Sequence, residues 1–135
     1  MAGNSRARVV HYLLVRYGAE SRMVDVRGIE PVMRDLRGVT LAAGRFISAD
    51  DVRFQRRVAV IGQTARQRLL GPRPAVGQQL DINGQSFEVV GLLDRVGTQL
   101  SRWRTETDEQ VWIPVTTAQT LTELQLDISA ARICT

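Results

Sequence analysis

The chain of 135 residues predicts an α+β fold of mixed β-strands with short interspersed helices. Three observations carry this. Short apolar runs rich in Val and Ile recur along the chain, an Asn-Gly dipeptide (Asn83-Gly84) separates two alternating segments, and the strand-like runs follow one another too closely for a doubly wound parallel sheet. At 44% hydrophobic content the length supports one compact domain, and with only 5% aromatic residues its core is aliphatic.

The elements follow in order. Residues 8–17 and 23–29 read as two strands of a hairpin across the turn residues Gly18, Ala19 and Glu20. Pro31 is expected at the first position of a short helical turn over 32–36. Ser48 stands three residues before Asp51, a spacing that satisfies exposed N–H groups at a helix start, so a short helix is expected near 49–54. Residues 57–61 form an apolar strand, and Gly62 leads into a helix over 63–70 that Gly71 and Pro72 end. Residues 79–82 and 86–93 flank Asn83-Gly84 as a type I′ hairpin, the strongest local signal in the chain. Residues 94–108 are polar and without period, and predict a long loop. A strand over 109–113 stopped by Pro114, a helix capped by Thr116 or Thr117 and running to about 124, and a last strand over 126–133 complete the expectation.

Composition and motifs exclude most chemistry. The net charge is +4, but all 18 basic residues are Arg, they are scattered, and acids are interleaved with them. A nucleic-acid footprint would be clustered, so none is expected. Val58 to Gly62 entering a helix has the outline of a nucleotide-binding turn, yet one glycine stands where three are needed, and Gly62 is read as serving a tight strand-to-helix turn. His11, the only histidine, sits among apolar strand residues, and the only cysteine, Cys134, lies near the C-terminus. Neither a Ser-His-Asp nor a Cys-His arrangement can be assembled from them, so no catalytic residue, metal or cofactor is expected. Asp50 and Asp51 are adjacent, and adjacent helical residues point about 100° apart, which favours capping over paired acid–base work. The sharp candidate is Arg102-Trp103-Arg104 in the long loop. A Trp flanked by two Arg has the composition of a partner-binding hot spot, although the stronger expectation is that Trp103 folds back onto the domain while the arginines stay solvated. No apolar stretch approaches the roughly 18 residues of a membrane span, and the first residues lack the apolar segment of a signal peptide.

Read in order, Val15-Arg16-Tyr17-Gly18, Val26-Arg27-Gly28-Ile29-Glu30-Pro31, Gly44-Arg45-Phe46, Arg57-Val58-Ala59-Val60-Ile61-Gly62, Val76-Gly77, Leu80-Asp81-Ile82-Asn83-Gly84, Phe87-Glu88-Val89-Val90-Gly91 and Val111-Trp112-Ile113-Pro114 resemble the MacB-type periplasmic core domain of ABC-transporter permeases (the MacB/LolC/FtsX-type family). Order and spacing carry the resemblance. The link Pro72-Arg73-Pro74-Ala75-Val76-Gly77 departs from it, since the family places an acidic residue there. The resemblance implies a piece of a membrane protein, in which a small α/β subdomain is inserted on hairpin strands of a porter-like, split β-α-β part. It assigns residues 1–43 to the N-terminal hairpin and connector of that part, 44–124 to the inserted subdomain and 125–135 to its return strand. The implied role is non-catalytic coupling of cytoplasmic ATP hydrolysis to export, lipoprotein or cell-envelope work outside the membrane. The implied partners are an ATP-binding subunit, a second permease copy and a periplasmic adaptor. The implied location is the outer side of the cytoplasmic membrane. The rival expectation is a solute-, lipid- or peptide-binding module, which a large apolar cleft would favour.

Overall fold

The computed structural model describes residues 9–95 and 107–121. β1 (Val9–Tyr17) and β2 (Glu20–Ile29) form the expected hairpin, in antiparallel register from Val9 opposite Gly28 to Tyr17 opposite Glu20. α1 (Met33–Arg37) begins later than the sequence predicts, because Pro31 and Val32 build the turn whose carbonyls accept from Arg34 and Asp35, leaving Pro31 outside the helix. β3 (Leu41–Gly44), α2 (Ala49–Arg53), β4 (Val58–Ile61), α3 (Gln63–Leu70), β5 (Gln79–Ile82), β6 (Gln85–Leu93) and β7 (Gln110–Pro114) follow, then α4 over residues 115–121.

The strands run in the order β3-β6-β4-β7-β2-β1-β5, and β5 pairs with β6 as well. That last pairing closes six strands into a ring. β3 joins β6 beyond the end of β5, at Gly91 to Leu93. β2 runs parallel to β7 and β4 parallel to β6, while the remaining neighbours are antiparallel. A mixed sheet with a few short helices is therefore what forms, and strands from both sides of residue 44 share it through the β2–β7 and β1–β5 ladders.

Alternation along the strands fills the ring. Each of its six strands sends in two residues of one apolar cluster: Leu13 and Val15, Val24 and Val26, Ala59 and Ile61, Leu80 and Ile82, Phe87 and Val89, Val111 and Ile113. Ala65, Leu69 and Leu70 of α3 and Ala118 and Leu121 of α4 join the same cluster. The opposite face of β4 and β7 is covered too. There Val58, Val60 and Trp112 pack with Ile29 at the end of β2 and with Met33, Val39, Phe46 and Ile47 from the connector carrying α1 and β3.

Several local expectations hold at atomic detail. Asn83 and Gly84 both have positive φ (54° and 88°), as a type I′ turn requires. Ser48 and Asp51 form a reciprocal cap, with the Asp51 N–H donating to Ser48 Oγ at 3.2 Å and the Ser48 N–H to Asp51 Oδ2 at 2.9 Å. The α4 cap is a correction. The helix begins at residue 115, directly after Pro114, and the hydroxyls of Thr116 and Thr117 donate instead to the carbonyls of Val52 and Arg56, tying α4 to the end of α2. The expected strand at 126–133 lies outside the described residues.

Candidate functional site

The predicted partner-binding residues Arg102, Trp103 and Arg104 lie outside the described residues; the base from which their loop departs does not. Where β6 ends, the Asp94 N–H donates to the Thr40 carbonyl at 2.9 Å and the Thr40 hydroxyl to the Asp94 carboxylate at 2.7 Å. The Gln63 side-chain amide donates to the Leu93 carbonyl at 3.0 Å, fixing the same exit to the start of α3. Where the chain returns, Arg37 donates to the Thr107 hydroxyl at 3.0 Å, and both Thr107 and Asp108 are buried. Arg95 and Asp108, on the outgoing and returning limbs, stand 3.8 Å apart as an ion pair. Both ends of the loop are thus fastened to the domain and to each other.

Gly62 makes that return possible, for a reason the sequence reading did not contain. Its φ of −79° is one any residue adopts, so turn geometry does not demand glycine there. A Cβ at this position would instead lie 2.6 Å from the Thr107 carbonyl oxygen and 2.5 Å from that of Asp108. The returning chain passes directly over the β4–α3 junction, and only a residue without a side chain lets it. Gly44 and Gly91 show the same economy of space. They stand opposite each other in the β3–β6 ladder, and a Cβ on Gly91 would meet the Arg45 carbonyl oxygen at 2.0 Å.

The polar groups near the loop base are engaged with one another. Gln110, fully buried, accepts from Trp112 Nε1–H at 2.8 Å and donates to Asp25 at 3.4 Å, while Arg27 pairs with Asp25 at 3.4 Å. Trp112 also meets the Phe46 ring edge-on, with centroids 5.9 Å apart. These contacts fix β7 against β2.

Asp50 and Asp51 separate as the helical geometry predicts, Asp50 exposed and Asp51 fully buried. Arg45 reaches Asp51 with contacts of 2.7 and 3.3 Å, and Arg56 adds another at 3.3 Å. Burial alone would raise the Asp51 pKa, but the Arg45 hydrogen bond, the Ser48 N–H, the Arg45 charge and the Arg56 hydrogen bond together outweigh it and hold the pKa at about 2. A carboxyl fixed in the charged form with all its acceptors occupied caps and pins; it does not shuttle protons.

No group of three or more His, Cys, Asp and Glu side chains able to hold a metal ion occurs among the described residues. His11 stands opposite Val26 in the β1–β2 ladder, and Cys134 falls outside the described residues. A cleft of about 320 Å³ beside β2 and α3 is bordered by Tyr12, Met23, Asp25, Arg22, Arg68 and Glu109, a mixture of apolar and charged groups of both signs.

A filled ring of strands, with the chain fastened where it leaves after β6 and where it returns before β7, defines a scaffold domain. The chain belongs to the family of MacB-like periplasmic core domains, which it matches over residues 4–132. It is 32% identical over 94 residues to the macrolide export ATP-binding/permease protein MacB of Bdellovibrio bacteriovorus, covering 70% of this chain and 14% of that protein. To the protein of the same name from Burkholderia pseudomallei it is 33% identical over 107 residues, covering 78% of this chain and 16% of the relative. The chain thus spans a small part of the length of these relatives. Among solved structures, the periplasmic region of MacB from Actinobacillus actinomycetemcomitans aligns with a TM-score of 0.68 at 21% identity, over 81% of this chain and 46% of that one. The extracellular domain of the ABC-type transporter YknZ from Gram-positive bacteria aligns with a TM-score of 0.68 at 22% identity, over 83% and 54%. At those identities the two structures establish the fold. Among the described residues no helix is long and apolar enough to cross a membrane.

Proposed function

We propose that this domain is the non-catalytic, extracytoplasmic part of an ABC-transporter permease, coupling ATP hydrolysis on the cytoplasmic side to export or cell-envelope work outside the membrane. The observation that carries this reading is the filled interior. Every strand of the ring contributes two side chains to one close-packed cluster, and close-packed interiors transmit displacement with little compression. Such a body moves as a unit when the membrane part moves. The relatives' names join ATP-binding and permease functions, which supports an ATP-binding partner for the parent of this chain. A second permease copy and a periplasmic adaptor complete the proposed assembly. The domain sits on the outer side of the cytoplasmic membrane.

Along the chain, we place residues 1–43 and 125–135 in a porter-like part and 44–124 in a subdomain inserted into it. The β2–β7 and β1–β5 ladders are then the seam between them. Motion entering through the hairpin passes to β7, and from β7 to the fastened base of the 94–108 loop.

That loop is the proposed contact with a second copy or an adaptor, through Arg102, Trp103 and Arg104. The test is partner pull-down with the chain carrying Trp103→Ala together with Arg102→Ala and Arg104→Ala. Loss of capture supports the contact, and unchanged capture removes the loop from the interface. The rival role, a solute-, lipid- or peptide-binding module, calls for a large apolar cleft. Charged residues of both signs border the cleft beside β2, which supports coupling over ligand capture.

A further inference from the structure

We infer that the cleft between the α2–β4 turn, the start of β6 and α4 is a binding site for an oxyanion of the phosphate class. Its volume is about 380 Å³, and the residues that line it are Gln55, Arg56, Arg57, Gln85, Thr117 and Thr120. Two of the six are guanidinium groups, two are amides, two are hydroxyls, and none is a carboxylate. Arg56 and Arg57 are also the only adjacent basic pair in the sequence. An Arg pair presents several N–H donors in planar forks that match the oxygens of a phosphate.

The turn carrying this pair is held rigidly. Gln55 has a φ of 52°, in the left-handed region that non-glycine residues rarely adopt, and such strained positions persist where their surroundings over-determine them. Here the surroundings are α4. The Thr117 hydroxyl donates to the Arg56 carbonyl at 2.7 Å, the Thr116 hydroxyl binds the Val52 carbonyl, and the Thr120 hydroxyl turns back to the Thr117 carbonyl at 2.6 Å. Arg56 itself is steadied by the Phe54 ring, 5.4 Å below its guanidinium carbon, and by one contact to Asp51.

The charge balance favours an anion. The carboxylate behind the cleft, Asp51, is already shared by two guanidinium groups, those of Arg45 and Arg56. Among the described residues the side-chain partner of Arg57 is neutral, the Gln85 carbonyl oxygen at 3.3 Å. Because Gln85 accepts there with its oxygen, its NH₂ group is left to donate to a ligand. The donors to a phosphate oxygen set are the two guanidinium groups and the Gln85 amide, since the Thr117 and Thr120 hydroxyl protons are already given to backbone carbonyls; the same ligand chemistry is offered by free phosphate and by the headgroup of an anionic phospholipid.

The test is thermal unfolding of the 135-residue chain titrated with inorganic phosphate, with sodium chloride matched for ionic strength. Three variants accompany the wild type: Arg57→Gln, Gln85→Glu, and Arg34→Gln on α1 as a control of equal charge change far from the cleft in sequence. The site predicts a rise in Tm with phosphate for wild type and Arg34→Gln, about tenfold weaker apparent affinity for Arg57→Gln, and no response for Gln85→Glu, whose new carboxylate occupies Arg57. No response beyond that of chloride, or equal responses in all four proteins, overturns it. Co-sedimentation with phosphatidylglycerol vesicles, against phosphatidylcholine vesicles, then separates the sources. Capture that Arg57→Gln abolishes assigns the site to a lipid headgroup, whereas a phosphate response without vesicle capture assigns it to a free oxyanion.

Discussion

Asp51 gathers a helix cap and two ion pairs in one buried side chain. It caps α2 from within the helix, and it receives Arg45 and Arg56 from either side of α2 in sequence while fully buried. Its folded-state pKa of about 2 lies below the ordinary 3.8, so folding favours the charged form. The contribution is roughly 2 kcal/mol, fully present above about pH 5 and lost as the pH falls from about 4 towards 2. Urea unfolding from pH 7 to pH 2.5 should show that loss in the wild type, and Asp51→Ala should flatten it. At neutral pH, Asp51→Ala should cost about 3 kcal/mol, since the cap disappears and two guanidinium groups lose their partner. The capping role was legible from the Ser48–Asp51 spacing. The arginine contacts were not, because Arg45 and Arg56 come from outside the helix and only the folded chain brings them together. Glycines tell a similar story at this scale. Gly91→Ala forces a methyl group to 2.0 Å from the Arg45 carbonyl oxygen and should destabilise by about 3 kcal/mol or more, measured by the same unfolding. The motif glycines Gly44 and Gly91 were visible in the sequence as members of a family pattern; that they touch each other was not.

At the level of elements, strong local chemistry was read correctly and weak local chemistry was not. The β5–β6 hairpin follows from Asn83-Gly84, and replacing Gly84 by Val, at a φ of 88°, should cost about 1–2 kcal/mol in thermal or urea unfolding without altering the far strands. β3 left no comparable signal. Leu41-Ala-Ala-Gly44 has no alternation and is mostly exposed, and its strand character comes from backbone pairing to β6. The start of α4 was misplaced for a related reason. Thr116 and Thr117 have the side chains of caps, but α2 and the turn after it offer them carbonyls across 64 and 61 residues of sequence. Thr117→Val should therefore weaken packing between α4 and the 52–57 turn, at a cost of about 1 kcal/mol, with hydrogen exchange rising in both elements together. A substitution acting only within α4 would raise exchange there alone.

For the molecule as a whole, the closed ring is the feature that the order of elements least foretold. A list of strands gives no pairing partners, and closure depends on β5 bridging β1 and β6 with only a few residues on each side. The family pattern implied a mixed α+β fold, which forms, and its pieces prove to be turns, close contacts and inward strand residues of this one sheet; it held no sign of the ring. Phe87, fully buried in the ring, tests the filling directly: Phe87→Ala should cost about 3–5 kcal/mol and leave the protein close to unfolding at physiological temperature. The candidate partner site was legible only as composition, Arg102-Trp103-Arg104 in a polar stretch, while the structure contributes the fastened base beneath it.

The role proposed for this domain is to transmit work without performing chemistry. It is tested most directly in the parent transporter, reconstituted in vesicles, with residues 96–106 replaced by a Gly-Ser segment of equal length. ATP hydrolysis and export are then measured on the same preparation. Coupling through the domain predicts that hydrolysis persists while export falls to background. Export at the unaltered rate per ATP would contradict it.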